Sequence, residues 1–189
     1  MCCTVLRVDE LAKLGGRPCL HQRAEGGCGV HDQRPAVCRA YRCAWLEGAF
    51  ALEDRPDRLG AVPNFQSRGD SVRLVLRQLD GGAVGRSPRL QEIVARVRRD
   101  MPVEIRDVDD VLDFDRPYRV LLPDDDELEI EGDRVRTWRA GRLFSERRAS
   151  WPERWLRLLK QRFGAWRLRR WPAHEERATL LGLGRREDS

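Results

Sequence analysis

The chain has 189 residues, 41% of them hydrophobic and 35% charged, with a formal net charge of +5. That length suits one domain with an appended element and can bury an ordinary apolar core without cross-links. A mean hydropathy of -0.62, with no apolar run near the ~20 residues of a membrane helix, excludes a spanning segment.

The amino terminus, MCCTVLRVDELAK, has no basic region followed by an apolar one and does not read as a secretory signal. A cytoplasmic location is expected, where thiols are kept reduced. Cys2, Cys3, Cys19, Cys28, Cys38 and Cys43 are all the cysteines of the chain, and His21 and His31 lie among them. In a reducing compartment such a cluster points to metal ligation or redox chemistry rather than to disulfides. Burial as small apolar residues suits them poorly, because several flank Gly, Pro, Arg and His.

In chain order, Val8, Leu11, Ala12 and Leu14 share roughly one helical face, so VDELAKL predicts a short helix ended by Gly15-Gly16. Residues 17–34 hold glycines, a proline and turn formers without a sustained period, and read as loop. Such a loop buries little apolar surface, and a metal held by thiolates is one way to supply its folding free energy. Pro35 opens a predicted helix over PAVCRAYRCAWLEG, with Gly48 past its end. Cys38 and Cys43 are five apart, so they need not share a face; either the helix ends between them or the second belongs to a following turn. Ala44, Trp45 and Leu46 read as core contacts.

Farther on, SVRLVL (71–76) alternates as a strand, and 88–99 repeats Leu90, Ile93, Val94 and Val97 at helical spacing. Met101-Pro102 breaks that helix before a short strand at 103–105. Strands at 118–122, 128–130 and 135–138, with turn signals between them, read as an antiparallel meander. Ser150-Trp151-Pro152-Glu153 is a capping box for a helix to about 170, ended by Pro172 and followed by a weaker helical segment and a charged tail. Trp151, Trp155, Leu158, Leu159, Phe163 and Trp166 form its apolar stripe, which the core spacing sets against the sheet. Charge is split: 100–133 carries fourteen acidic residues against three arginines, and 134–186 sixteen basic against four acidic. The two segments are expected to attract one another.

Zinc and iron take thiolate and imidazole ligands, about four for a structural zinc or for an iron–sulfur cluster. Cys2, Cys3, Cys19, Cys28, Cys38 and Cys43 are the candidate metal ligands, with more thiols than one centre needs. Adjacent thiols such as Cys2 and Cys3 diverge in extended chain and are not expected to bind one mononuclear metal together. His21 and His31 are secondary candidates. Arg34 and Arg39 are donors to thiolates or to backbone carbonyls, and Tyr41 and Trp45 pack around the site.

The run CC, Pro18-Cys19 with His21, Gly27-Cys28 with His31-Asp32, then Arg34-Pro35, Cys38-Arg39, Tyr41 and Cys43-Ala44-Trp45 resembles the YkgJ-like cysteine-cluster proteins. These carry a zinc- or iron-chelating CxxCxxCC domain shared with flagellin lysine methylases. The likeness covers about residues 1–50, and DRPDRLG (54–60) is similar to the family's continuation. It implies metal binding and no particular reaction. The family motif begins with two further cysteines, of which the chain has only the closing CC pair, directly after Met1; the expectation is that Met1 is internal and the true start lies upstream.

The sequence thus predicts an α+β protein: a loop-rich cysteine-cluster metal-binding region (1–60), an α+β region with a small antiparallel sheet packed on it (61–145), and a basic amphipathic C-terminal helix and tail (146–189). The expected function is a cytoplasmic zinc or iron protein, an iron–sulfur centre included. A metal-dependent redox or methyl-transfer enzyme is the alternative, without a nucleotide or methyl-donor motif to support it. A further alternative is nucleic-acid binding through the Arg/Trp helix, and an interfacial amphipathic role for that helix is another.

Overall fold

The computed structural model describes residues 1–169 except 9, 10, 12, 69, 80 and 109–115. Seven described strands form one sheet whose order follows the chain: β1 (Ala61–Arg68), β2 (Ser71–Gln78), β3 (Val103–Asp107), β4 (Tyr118–Leu121), β5 (Asp126–Glu131), β6 (Arg134–Arg139) and β7 (Arg142–Arg148). Mixed α+β architecture is therefore present. Every neighbouring pair is antiparallel except β2–β3, which is parallel with Leu74 opposite Val103. The small antiparallel sheet expected is thus mostly antiparallel, with β2–β3 the exception. Two helices fill the connection between β2 and β3, and a parallel pair requires a crossover of that length.

Four short helices precede or interrupt the sheet: α1 (Cys2–Val5), α2 (Ala36–Ala40), α3 (Pro56–Leu59) and α4 (Ala83–Arg86). The longer ones are α5 (Pro88–Arg98) and α6 (Trp151–Arg169). α5 starts where the Ser87 hydroxyl oxygen accepts the Leu90 N–H at 3.2 Å, with Pro88 in the first turn. Its Leu90, Ile93 and Val94 are buried against Leu74, Leu76, Val103, Ile105 and Leu121. Partners across a ladder share a face, so these residues define one side of the sheet. Val62, Val75, Arg77, Glu104 and Val120 pair on the other side.

The amino-terminal region covers that second side, where Val5 and Cys43 pack on Val62. The chain then rounds the β1 edge. Ala44 donates its N–H to the Pro63 carbonyl at 3.0 Å, and Ala44 and Phe50 join the α5 side of the core. In an antiparallel strand the N–H and C=O of one residue point the same way. The N–H that proline lacks would therefore have faced outward, where its loss breaks no ladder bond.

Several expected elements differ. Residues 8–14 do not form a helix: Val8 and Lys13 exchange both backbone hydrogen bonds, at 2.9 and 3.0 Å, and close a tight loop. The helix opened by Pro35 stops at Ala40, so Cys43 lies beyond it, ahead of the turns at 44–49. Leu46 is 47% exposed and is not a core contact. The capping box of α6 is formed, with the Ser150 N–H donating to Glu153 Oε2 at 2.7 Å. Its stripe does not pack on the sheet: Trp151 is 73% and Phe163 61% exposed. The expected end of that helix at Pro172 and the segment after it lie outside the described residues. The acidic and basic segments do meet, through Asp126–Arg139 at 2.8 Å, Glu129–Arg136 at 3.5 Å and Asp133–Arg154 at 3.6 Å. No described helix is long and apolar enough to cross a membrane.

Candidate metal centre

Cys2 and Cys3 stand on α1, a single turn closed by the Val5 N–H to the Met1 carbonyl and the Leu6 N–H to the Cys2 carbonyl, both at 3.0 Å. They do not lie in extended chain. Helical geometry still sends their side chains apart, by about 100° per residue. Val5, 2% exposed, anchors the turn on the sheet. A turn this short leaves carbonyls without intrahelical donors. Lys13 supplies one: its Nζ donates to the Thr4 carbonyl at 2.8 Å and to that of Leu6. The Val8–Lys13 loop, which replaces the expected helix, is what turns Lys13 back toward α1.

The following loop is tied to the same turn. Cys19 donates its N–H to the Cys3 carbonyl at 3.0 Å, and Gln22 donates its own to Cys19 at 2.9 Å. The Thr4 hydroxyl donates to Gln22 Oε1 at 2.9 Å. Gln22 bridges to Cys28 as an isolated antiparallel pair, and Gly29 donates to the His21 carbonyl at 2.7 Å. The reversal between them passes through Gly26 and Gly27, both at positive φ, 98° and 86°. Cys38 enters from α2, between the exposed Arg39 and the half-buried Val37.

Electrostatics divides the thiols into two neighbourhoods. Burial, and then Cys28, raises the pKa of Cys3; burial, with Cys3 and Cys28 adding repulsion, raises that of Cys19. Burial lowers Lys13 to about 8, while Cys19, Cys3 and Cys38 oppose that shift, which places all three thiols near its ammonium. Arg34 acts on Cys3 in the same favourable sense. Cys2 belongs mainly to the other neighbourhood, pushed up to about 11 by burial and by Cys43, with a smaller contribution from the adjacent Cys3. Cys43 is 1% exposed. Tyr41 is raised by burial and by these two thiols, and its buried hydroxyl has no hydrogen-bond partner among the described residues.

These thiols are neighbours without being assembled. Among the described residues, no group of three or more Cys, His, Asp or Glu side chains stands close enough to hold a metal ion. The described cysteines carry no disulfide. The donor chemistry suits zinc or iron: soft sulfur donors from separate segments, beside cations that can donate hydrogen bonds to thiolate. The spacing does not yet match a closed coordination shell.

Of the secondary candidates, His21 is 6% exposed, whereas the His31 side chain is 64% exposed. His31 meets the Arg34 guanidinium through Nε2 at 2.5 Å and Asp32 through Nδ1 at 3.4 Å. Arg39 donates to the Arg34 carbonyl at 3.0 Å, not to a thiol. Tyr41 and Trp45 pack against Val5, Cys43 and Val62. Sequence reasoning missed Lys13. Composition offers only a slight signal: it is one of two lysines in a chain whose other Lys/Arg-type residues are arginines. A compact ammonium on a flexible stem tolerates burial and shifts its pKa readily.

No family model, curated protein or solved structure matches the chain, so the resemblance to the YkgJ-like proteins rests on the quoted residues alone.

Proposed function

We propose that the chain is a cytoplasmic metal-binding protein whose centre, zinc or iron, is held by Cys3, Cys19, Cys28 and Cys38. The observation that carries this reading is that Cys3, Cys19 and Cys38 lie near the buried ammonium of Lys13, with Cys28 beside Cys3 and Cys19. Packing accounts for only part of the set: Cys19 lies against Leu11 with Val8 and Leu20. Buried thiols that served only as small apolar residues would be surrounded by apolar side chains, not by a lysine and an arginine.

Four thiolates on a divalent ion leave a net charge of -2. Lys13 and Arg34 offset it, and their N–H groups are the donors that thiolate sulfur accepts in an outer shell. Coordination needs deprotonated thiols, so the raised values of Cys3 and Cys19 make binding proton-coupled: metal uptake releases protons and weakens as pH falls. Cys2 and Cys43 are assigned to the apolar layer behind the centre, packed with Tyr41, Val5 and Val62.

Metal analysis with an absorption spectrum, after aerobic and anaerobic purification, tests the reading. Stoichiometric zinc in a colourless protein is one supporting result; iron with acid-labile sulfide and a visible charge-transfer band is the other. A chain that takes up neither zinc nor iron with sulfide under anaerobic reconstitution overturns it.

A further inference from the structure

α6 meets the rest of the protein through its polar side. Arg157 donates to the Gly132 carbonyl and Arg154 pairs with Asp133 at 3.6 Å, both in the β5–β6 turn. At about 100° per residue, Trp155, Leu159, Phe163 and Trp166 fall on an arc away from those two arginines. They are 52, 42, 61 and 48% exposed, and Trp151 at the helix start is 73% exposed. The helix is thus turned inside out relative to a core helix: Arg154 and Arg157 face protein, and its tryptophans face out. Trp151 and Trp155 stack at 6.3 Å, and Phe163 and Trp166 at 5.6 Å, so the outward face is an apolar ridge of two aromatic pairs with Leu159 between them.

The charge around this ridge is one-sided. α6 itself has six arginines and lysines against Glu153, whereas Arg136 and Arg139 of β6 are already paired with Glu129 and Asp126. A second copy of the helix would bring two strongly cationic surfaces together. A nucleic acid would neutralise the charge but has no use for Leu159 and Leu158 beside the rings. An anionic bilayer surface satisfies both features. Apolar side chains enter the boundary between headgroups and acyl chains, tryptophan rings favour that depth, and flanking cations meet lipid phosphates. Arg162, which interrupts the stripe, has a stem long enough to lift its guanidinium to the headgroups.

We propose that α6 is a membrane-surface helix that lies in the plane of an anionic phospholipid leaflet and seats the protein there. The proposal is independent of the metal centre. Co-sedimentation of the full chain with vesicles of phosphatidylcholine alone, and of phosphatidylcholine with phosphatidylglycerol, tests it. Binding to the anionic vesicles is expected to be at least about tenfold tighter, to shift tryptophan emission to the blue and to weaken with salt. Leu159→Glu with Phe163→Glu, at exposed positions that leave the fold intact by circular dichroism, is expected to lose at least about tenfold. Lys160→Glu with Arg162→Glu should abolish the preference for anionic lipid. Failure to bind anionic vesicles, unchanged binding by both double variants, or binding to duplex DNA but not to vesicles would each overturn the proposal. A stable dimer in solution that Leu159→Glu with Phe163→Glu dissolves would also overturn it.

Discussion

The backbone N–H of Cys19 donates to the carbonyl of Cys3 at 3.0 Å, joining the helical turn that carries one thiol to the loop that carries the next. The loop's position thus follows from α1, and with it that of Cys28, bridged through Gln22. If these thiols share a metal, none is dispensable. Cys19→Ser and Cys28→Ser should each weaken zinc binding by at least about tenfold. Competition against a chromogenic chelator measures this, and unchanged affinity in both variants would remove them from the ligand set.

Cys43 should behave differently. It is 1% exposed and packs with Val5 and Val62 on the sheet face that the amino-terminal region covers. A hydroxyl placed there loses solvation without an assured partner, so Cys43→Ser should cost about 1–3 kcal/mol of stability. Metal stoichiometry should remain that of the unsubstituted chain. Urea unfolding beside metal analysis separates the two readouts; loss of metal with unchanged stability would make Cys43 a ligand.

Periodicity made much of the architecture readable, and contact made the rest unreadable. Leu74 and Leu76, and Leu90, Ile93 and Val94, announce β2 and α5 because one face of each is buried. β1 was hidden by Pro63, which looks like a breaker until the strand is known to lie at an edge. β7, RLFSERR, is exposed at every position and so carries no alternation to read. The stripe of α6 has core spacing, but spacing cannot say which way a helix is turned. The cysteines were legible as a cluster, while their division into two neighbourhoods depends on α1 and on the loop formed by Val8 and Lys13, both fixed by tertiary contacts. Lys13 would have required knowing that its ammonium caps the end of a helix that had not been foreseen.

Gly60 ends α3 at φ 74°, donating its N–H to the Pro56 carbonyl at 3.0 Å. Two costs fall on a side chain there. The left-handed backbone disfavours any L residue with a Cβ, and a Cβ would stand 3.3 Å from that of Ala83 in α4. Gly60→Ala should therefore destabilise by about 1–2 kcal/mol. The denaturant midpoint should fall with an unchanged slope. A midpoint equal to that of the unsubstituted chain would show that the turn relaxes freely.

Asp54 binds the loop before α3 to the first turn of α5. Its carboxylate, 0% exposed, accepts Arg89 Nε at 2.7 Å and Nη2 at 2.9 Å, and the Ala51 N–H at 3.2 Å. The guanidinium beside it holds its pKa below the ordinary 3.8, outweighing the opposing effect of burial. A carboxyl depressed in the folded state binds its proton more readily in the unfolded chain. Its contribution is therefore complete above 3.8 and is lost as pH falls through the folded value. Asp54→Asn keeps the shape but loses the charge-assisted pair, leaving Arg89 its contact with Glu92 at 3.0 Å. At neutral pH the variant should be less stable by about 2–3 kcal/mol. The difference should shrink as the pH is lowered below 3.8 and through the folded value, where the original carboxyl takes up its proton as well. Urea midpoints for both proteins across that range check it; a gap that stays constant with pH would mean that the pair's charge contributes nothing.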